Sequence, residues 1–305
     1  MANDYYVVSG DSLRDVADTI RTKGGTSAQL EYPDDWKDAI NAISGGGDTP
    51  IPEDGKTRIW IHIADGTPDN RLTFYLRFTA SEANNTTVDW GDGTTETLGS
   101  TTATNYSHKY SQGGDYVITM TVNTGTIGFE GTSGNSGYSI YGSRSTSDIN
   151  RHSSSRIKRI VSGDNVSSIG DYSCYHCYGL TSITIPSSVT SIGASAFYNC
   201  YGLTTITISD SVTNIGASAF YNCYGLTSIT IPDSVTSIGA SAFQYCYGMS
   251  EYHFKSTTPP TLANSNAFGG IPSDCIIYVP QGSLSAYQQA TNWSQYSSHM
   301  QEEPT

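Results

Sequence analysis

Positive charge is scarce in this chain. Its 305 residues carry 15 Lys and Arg against 28 Asp and Glu, a formal net charge of -13 at pH 7. A duplex nucleic-acid binder has to neutralise phosphates with clustered cations. The densest basic group here is Arg156, Lys158 and Arg159, so no nucleic-acid partner is expected. Long apolar runs are missing as well: nowhere do the roughly 18 consecutive apolar residues of a membrane-spanning helix occur. The opening MANDYYVVSGDSLRDVADTI has no basic stretch leading into an apolar core, so neither an export signal nor a membrane partner is expected.

Catalytic groupings are thin too. Gly10, Asp11, Ser12 and Leu13 spell the GDSL string of a hydrolase family. The serine of that family needs a late Asp-x-x-His pair to orient and deprotonate it, and no histidine here has an aspartate three positions before it. Ser12 is therefore read as a helix cap, and the chain as a non-enzyme without catalytic residues or a cofactor. Of the 6 cysteines, Cys177, Cys200, Cys223 and Cys246 recur at a 23-residue step, with Cys174 and Cys275 outside the series. Coils stacked about 4.8 Å apart would bring such cysteines within disulfide reach. Equivalent side chains leave stacked coils in parallel directions, however, which suits a ladder of buried thiols. Cys174 and Cys177 spell CxxC, but no second pair stands at zinc spacing, so no metal site is expected.

What is present divides the chain. Residues 1–47 hold two patterns at i, i+3, i+4, i+7 spacing: Leu13, Val16, Ala17, Ile20, and Trp36, Ala39, Ile40, Ile43. Both predict short helices, stopped by Gly45, Gly46 and Gly47. Residues 48–56 read as a Pro/Gly/acid-rich linker. IWIHI (59–63) and LTFYLRF (72–78) then alternate as half-buried strands do. VDWGDGT (88–94), SHKY (107–110) and GGDYVITMTV (113–122) come after them. These segments resemble the PKD family of immunoglobulin-like β-sandwiches, which implies a spacer or adhesive module over residues 57–122 with no catalytic residue. Asp89 and Asp92 are read as turn residues using their carboxylates for backbone bonds, the alternative being a calcium ion. Residues 123–155, rich in Gly and Ser, read as a linker or as an N-terminal cap on the C-terminal half of the chain.

That half repeats. LTSITIPSSVTSIGASAFYNCYG (180–202) returns at 203–225 and 226–248 with only a few changes, and degenerate copies stand at 157–179 and 249–268. Four to five coils are expected. Leu180, Ile183, Ile185, Val189, Ile192, Ala196, Phe197 and Cys200 are the inward residues of one coil. At about 1.5–3 kcal/mol for each larger side chain they cannot offset the roughly 1–2 kcal/mol needed to order each of 23 residues. Only stacking makes such an array stable. A period in this range led by L-x-x-L-x-L is that of leucine-rich repeats. The copies are also similar to the BspA-like leucine-rich-repeat family, which implies a solenoid over residues 156–268 and a C-terminal cap and tail over 269–305. There IYVP would be the last strand, with Tyr287 and Trp293 sealing the end. The expected fold is thus mainly β: a leucine-rich-repeat solenoid with 23-residue coils, preceded by a PKD-like β-sandwich and a small N-terminal helical module.

Between residues 180 and 250 there is no Lys or Arg, and the only acids are Asp210 and Asp233. Tyr178, Tyr201, Tyr224 and Tyr247 form one column at the 23-residue step and Tyr175, Tyr198 and Tyr221 another. His176, Asn199, Asn222 and Tyr245 lie beside them. Tyr and Asn provide broad contact and adaptable hydrogen bonds, so these residues are the candidate ligand-binding positions, the alternative being that the tyrosines merely cover the coil's turn. Ser182, Thr184, Thr205, Thr207, Ser228 and Thr230 form a second outward ladder, whose three clean rungs are too few for an ice-binding lattice. The expected partner is a cell-surface glycan or protein, with self-association left open. Residues 5–43 resemble helical modules that open virion proteins of phages infecting gut Firmicutes. That resemblance implies a tail- or capsid-associated virion protein, made in the bacterial cytoplasm and joined to other virion proteins through residues 1–47. The alternative is a BspA-like adhesin on the bacterial cell surface.

Overall fold

The structure is a computed structural model that describes residues 54–64, 72–131, 138–139, 142–143 and 156–304. The expected N-terminal helices and Ser12 lie outside the described residues.

Strict alternation builds the first strands. In β1 (Thr57–Ile63) Thr57, Ile59, Ile61 and Ile63 are buried, while Arg58, Trp60 and His62 point the other way and are half-buried, the period-2 geometry of a strand. β2 (Thr73–Ala80), β3 (Thr86–Asp89), β4 (Thr95–Leu98), β5 (Thr104–Lys109), β6 (Gly114–Val122) and β7 (Ile127–Phe129) succeed it. They form two layers, β4-β3-β6-β1 and β5-β2-β7, whose inward Ile59, Ile61, Phe74, Leu76, Val88, Ile118 and Met120 share one core. The WGDG and H-x-Y segments meet in a knot. Trp90 is fully buried, His108 stacks on it at 4.9 Å, and the Tyr110 hydroxyl donates to the Trp90 carbonyl. Asp89 accepts from the Gly91 amide. Asp92 accepts from Thr94 and pairs with His108 Nε2 at 2.7 Å, so both carboxylates serve the turn. A small hairpin, β8 (Tyr138–Ser139) with β9 (Gly142–Ser143), comes next.

The first five coils of the repeat each give two short strands, and the sixth gives one. The first strands are β10 (Ile157–Val161), β12 (Ser182–Thr184), β14 (Thr205–Thr207), β16 (Ser228–Ile231), β18 (Glu251–Phe254) and β20 (Ile276–Val279). The second are β11 (Val166–Ile169), β13 (Ser191–Ile192), β15 (Asn214–Ile215), β17 (Ser237–Ile238) and β19 (Thr261–Leu262). Except between β14 and β16, successive strands pair in parallel and in register, so that Ile183 lies over Ile206 and Ile192 over Ile215. The expectation of four to five coils is thereby corrected to six, because β20 stacks on β18 as a further rung instead of closing the stack. The closing strand is β21 (Met300–Glu302), reached through the short helix α1 (Leu284–Gln289). Trp293 and Tyr287 seal this end: the Trp293 indole donates to the Pro260 carbonyl and the Tyr287 hydroxyl to that of Ser256.

The two halves share their sheets. β1 pairs antiparallel with β10, and β7, inside the Gly/Ser-rich 123–155 stretch, pairs parallel with β11. One sheet therefore runs β4-β3-β6-β1-β10-β12-β14, and the other runs from β5 through β2, β7 and β11 to β19. The β unit lies on the open end of the solenoid as its first rung. The first of these sheets stops at β14, and β16 opens a separate one, β16-β18-β20-β21. The break coincides with Ile206, which is half-buried where its equivalents Ile183 and Ile229 are each only 2% exposed.

The return side is held by a third ladder. Ser195, Phe197 and Asn199 donate their amides to the carbonyls of Ala217, Ala219 and Tyr221 one coil on, and Ser218, Phe220 and Asn222 repeat the pattern toward Ala240, Ala242 and Gln244. This geometry needs left-handed residues at two positions per coil: Ser195 (φ 53) and Asn199 (φ 59), then Ser218 (φ 54) and Asn222 (φ 59). Asn tolerates that region better than most residues. Gly216 and Gly225 are set by close approach, since a Cβ there would lie 2.6 Å from the Gly193 carbonyl carbon and 2.8 Å from the Tyr201 oxygen.

Candidate functional site

The stacking of coils turns sequence columns into physical ones. Tyr175, Tyr198 and Tyr221 stack at 4.9 and 4.7 Å between centroids, with planes 7° and 3° apart. Tyr178, Tyr201, Tyr224 and Tyr247 stack at 5.1, 5.0 and 5.7 Å, all within the range of offset aromatic pairs. At the C-terminal end Tyr245 breaks the pattern and meets Tyr221 edge-on at 5.3 Å. All these tyrosines are half-buried. Burial raises the phenol of Tyr198, and nearby tyrosines add to it. Tyr201 and Tyr224 are raised further for the same reason. Burial likewise raises Tyr221 and Tyr247, so these five hydroxyls are neutral phenols at physiological pH.

Between the columns runs a ladder of amides. Asn222 Nδ2 donates to Asn199 Oδ1 at 2.8 Å, and Asn199 Nδ2 lies 3.0 Å from His176 Nε2. All eleven candidate positions therefore belong to one continuous surface. The ladder ends at Tyr245, which supplies no amide, and Asn222 Oδ1 is left buried and unpaired. Sequence reasoning named these residues but missed what fixes them, the left-handed backbone at His176, Asn199, Asn222 and Tyr245. The signal was present in the Asn of the YNC segments, a residue suited to positive φ.

Behind the columns lies the thiol ladder. Cys200, Cys223 and Cys246 donate to the carbonyls of Cys174, Phe197 and Phe220 at 3.1, 3.2 and 3.1 Å. Cys174 thus occupies the slot of a phenylalanine in the first coil, which explains its place outside the 23-residue cysteine series. Burial pushes the Cys200 and Cys223 thiols well up and that of Cys246 to about 12, so these sulfurs fill space and are poor nucleophiles. The outward Ser/Thr ladder pairs Ser182 with Thr205 and Thr184 with Thr207. Its continuation toward Ser228 and Thr230 is interrupted where β14 and β16 do not pair.

Stacked parallel strands, a buried Leu/Ile/Val/Phe/Cys interior and a 23-residue period through the middle coils together describe a leucine-rich repeat. Residues 149–278 match the BspA type leucine rich repeat region, in six copies. Among solved structures, the BspA type repeats here are similar to a leucine rich cell surface protein of Faecalibacterium prausnitzii. Identity is 41% over 32% of this chain and 25% of that one, with a TM-score of 0.31. The Treponema pallidum leucine rich repeat protein is 26% identical over 40% of this chain and 58% of that chain, TM-score 0.36. A Bacteroides ovatus leucine-rich repeat protein is 24% identical over 48% and 36%, TM-score 0.36. The chain spans less than two thirds of each. No curated protein matches it. Among the described residues no helix is long and apolar enough to cross a membrane.

Proposed function

We propose that this chain is a non-catalytic binding protein of the bacterial cell surface, holding a ligand on another surface against the tyrosine face of its BspA type repeats. The observation that carries the reading is the pair of stacked tyrosine columns flanking an Asn/His ladder on a surface without cations. A plain scaffold needs a filled interior and hydrogen-bonded coils, and the Phe and Cys columns with the three backbone ladders already provide these. The alternative of a virion protein rests on residues 5–43, which lie outside the described residues, and no comparison supports it.

The test is saturable binding of the full chain to intact bacterial and epithelial cells, measured by flow cytometry. Binding should be competed by unlabelled protein and weakened at least tenfold by Tyr201→Ala with Tyr224→Ala. Absence of saturable binding to any cell type would reject the reading.

A further inference from the structure

Stacking decides which part of each tyrosine a ligand can reach. The usual aromatic platform offers a ring face to a base or a sugar ring. Here Tyr198 lies between Tyr175 and Tyr221, Tyr201 between Tyr178 and Tyr224, and Tyr224 between Tyr201 and Tyr247. Both faces of these three rings are covered by neighbours. Tyr221 has one face on Tyr198 and the other against the edge of Tyr245. Only ring edges and hydroxyls remain.

The hydroxyls of Tyr198, Tyr221, Tyr224 and Tyr247 are open. The amides and thiols of the return side bond to one another and to the backbone: Asn199 to His176, Asn222 to Asn199, and the thiols to carbonyls. The phenols of Tyr198, Tyr221, Tyr224 and Tyr247 make no hydrogen bond to another described residue, and none is a buried unpaired atom. Their rings are nearly parallel and recur at 4.7 Å in one column and 5.7 Å in the other, so hydroxyls repeat along the stack coil by coil. Burial keeps them protonated, and each can both donate and accept.

We infer that this row reads a neutral, extended glycan through hydrogen bonds to its hydroxyls, and that ring-face stacking plays no part along the columns. The inference rests on the binding role proposed above and names the ligand class. A polymer of sugar rings carries donors and acceptors along its length, in step with a surface that offers the same pair at every coil. Charge settles which kind of glycan. With no Lys or Arg between residues 180 and 250 and acids at Asp210 and Asp233, nothing on these coils pairs with a uronate or a sulfate, and the protein's net charge of -13 repels either.

The experiment uses the full chain in affinity electrophoresis through gels containing mannan, xyloglucan or dextran, with hyaluronan as the anionic counterpart. The variant Tyr198→Phe, Tyr221→Phe, Tyr224→Phe, Tyr247→Phe removes four hydroxyls while leaving every stack in place. The expected result is retardation by at least one neutral polysaccharide, none by hyaluronan, and at least tenfold weaker retardation of the Phe variant with an unchanged circular dichroism spectrum and Tm. Equal retardation of the Phe variant overturns the hydroxyl reading, and retardation by hyaluronan alone overturns the neutral ligand. Cell binding that none of the neutral polysaccharides competes also overturns it while leaving the broader binding role standing. Loss of all cell binding by the wild-type chain is the separate failure of that role.

Discussion

At the scale of single residues, the repeat is held by positions whose chemistry fits a backbone demand. Asn199 and Asn222 meet a left-handed φ and join side-chain amides in the same stroke. Tyr245 has the same φ, 61°, without an amide, and leaves Asn222 Oδ1 buried and unpaired. Tyr245→Asn should therefore stabilise the protein. It relieves an unpaired acceptor worth about 1–3 kcal/mol and a disfavoured backbone conformation worth about 1 kcal/mol, against a loss of about 0.5–1.5 kcal/mol for each ring contact, with Tyr221 and with Tyr247. A net gain of about 1 kcal/mol would raise Tm by roughly 2–4 °C in calorimetry, and a fall in Tm would contradict the ladder's role. The cysteines offer a second check. All six are buried thiols outside any disulfide, so iodoacetamide should label none in the native protein within hours and all six in guanidinium. Fast native labelling of Cys200 would show that the thiol ladder is not closed.

At the scale of elements, the turn between β3 and β4 is a charge-dependent device. Burial alone would raise the Asp92 carboxyl, but hydrogen bonds from Thr94 and His108 outweigh it and hold the group below its ordinary value. A carboxyl lower in the folded than in the unfolded chain contributes fully above the ordinary carboxylate range, near about pH 4. That contribution is lost as pH falls through the folded value. Asp92→Asn should cost about 1–3 kcal/mol at neutral pH and flatten the acid limb of a Tm against pH curve; an unchanged acid limb would remove Asp92 from the account. The gap between β14 and β16 makes a different prediction. With no ladder between them, backbone amides at 205–208 should exchange with deuterium faster than those at 182–185, although the two segments are near copies in sequence. Equal protection would mean that the ladder is continuous in solution. This contrast also shows what the sequence could and could not reveal. The coil period, the inward residues and the tyrosine columns come from repetition, because identical copies have to present the same side chain to each neighbour. The break does not, because Ile183, Ile206 and Ile229 are the same residue in almost the same setting, and only the stack distinguishes them.

At the scale of the whole molecule, the partner of each sheet edge was the least legible feature. Alternation marks β1 as a strand and repeat alignment places β10 in the first coil, but neither says that they pair across a separation of about a hundred residues, nor that β7 lies in a stretch that reads as linker. The consequence is mechanical. Residues 57–64 and 72–131 share one core and two sheets with residues 156–304, so calorimetry of the full chain should show a single cooperative transition, and two well-separated peaks would contradict the shared sheets. A fragment beginning at residue 150 would expose Ile157, Ile160 and Val166, all fully buried in the intact chain, together with two open strand edges, and should aggregate.

The near-identity of the middle coils has a further consequence for the length of the stack. A segment of 23 residues added or removed within 180–225 leaves both closing structures in contact with the same kind of neighbour, since these two rungs carry the same inward residues and the same Tyr and Asn positions. Variants of this protein can therefore differ in reach by whole rungs without any redesign of their ends, and recombination between the matching stretches of their genes would be enough to produce them.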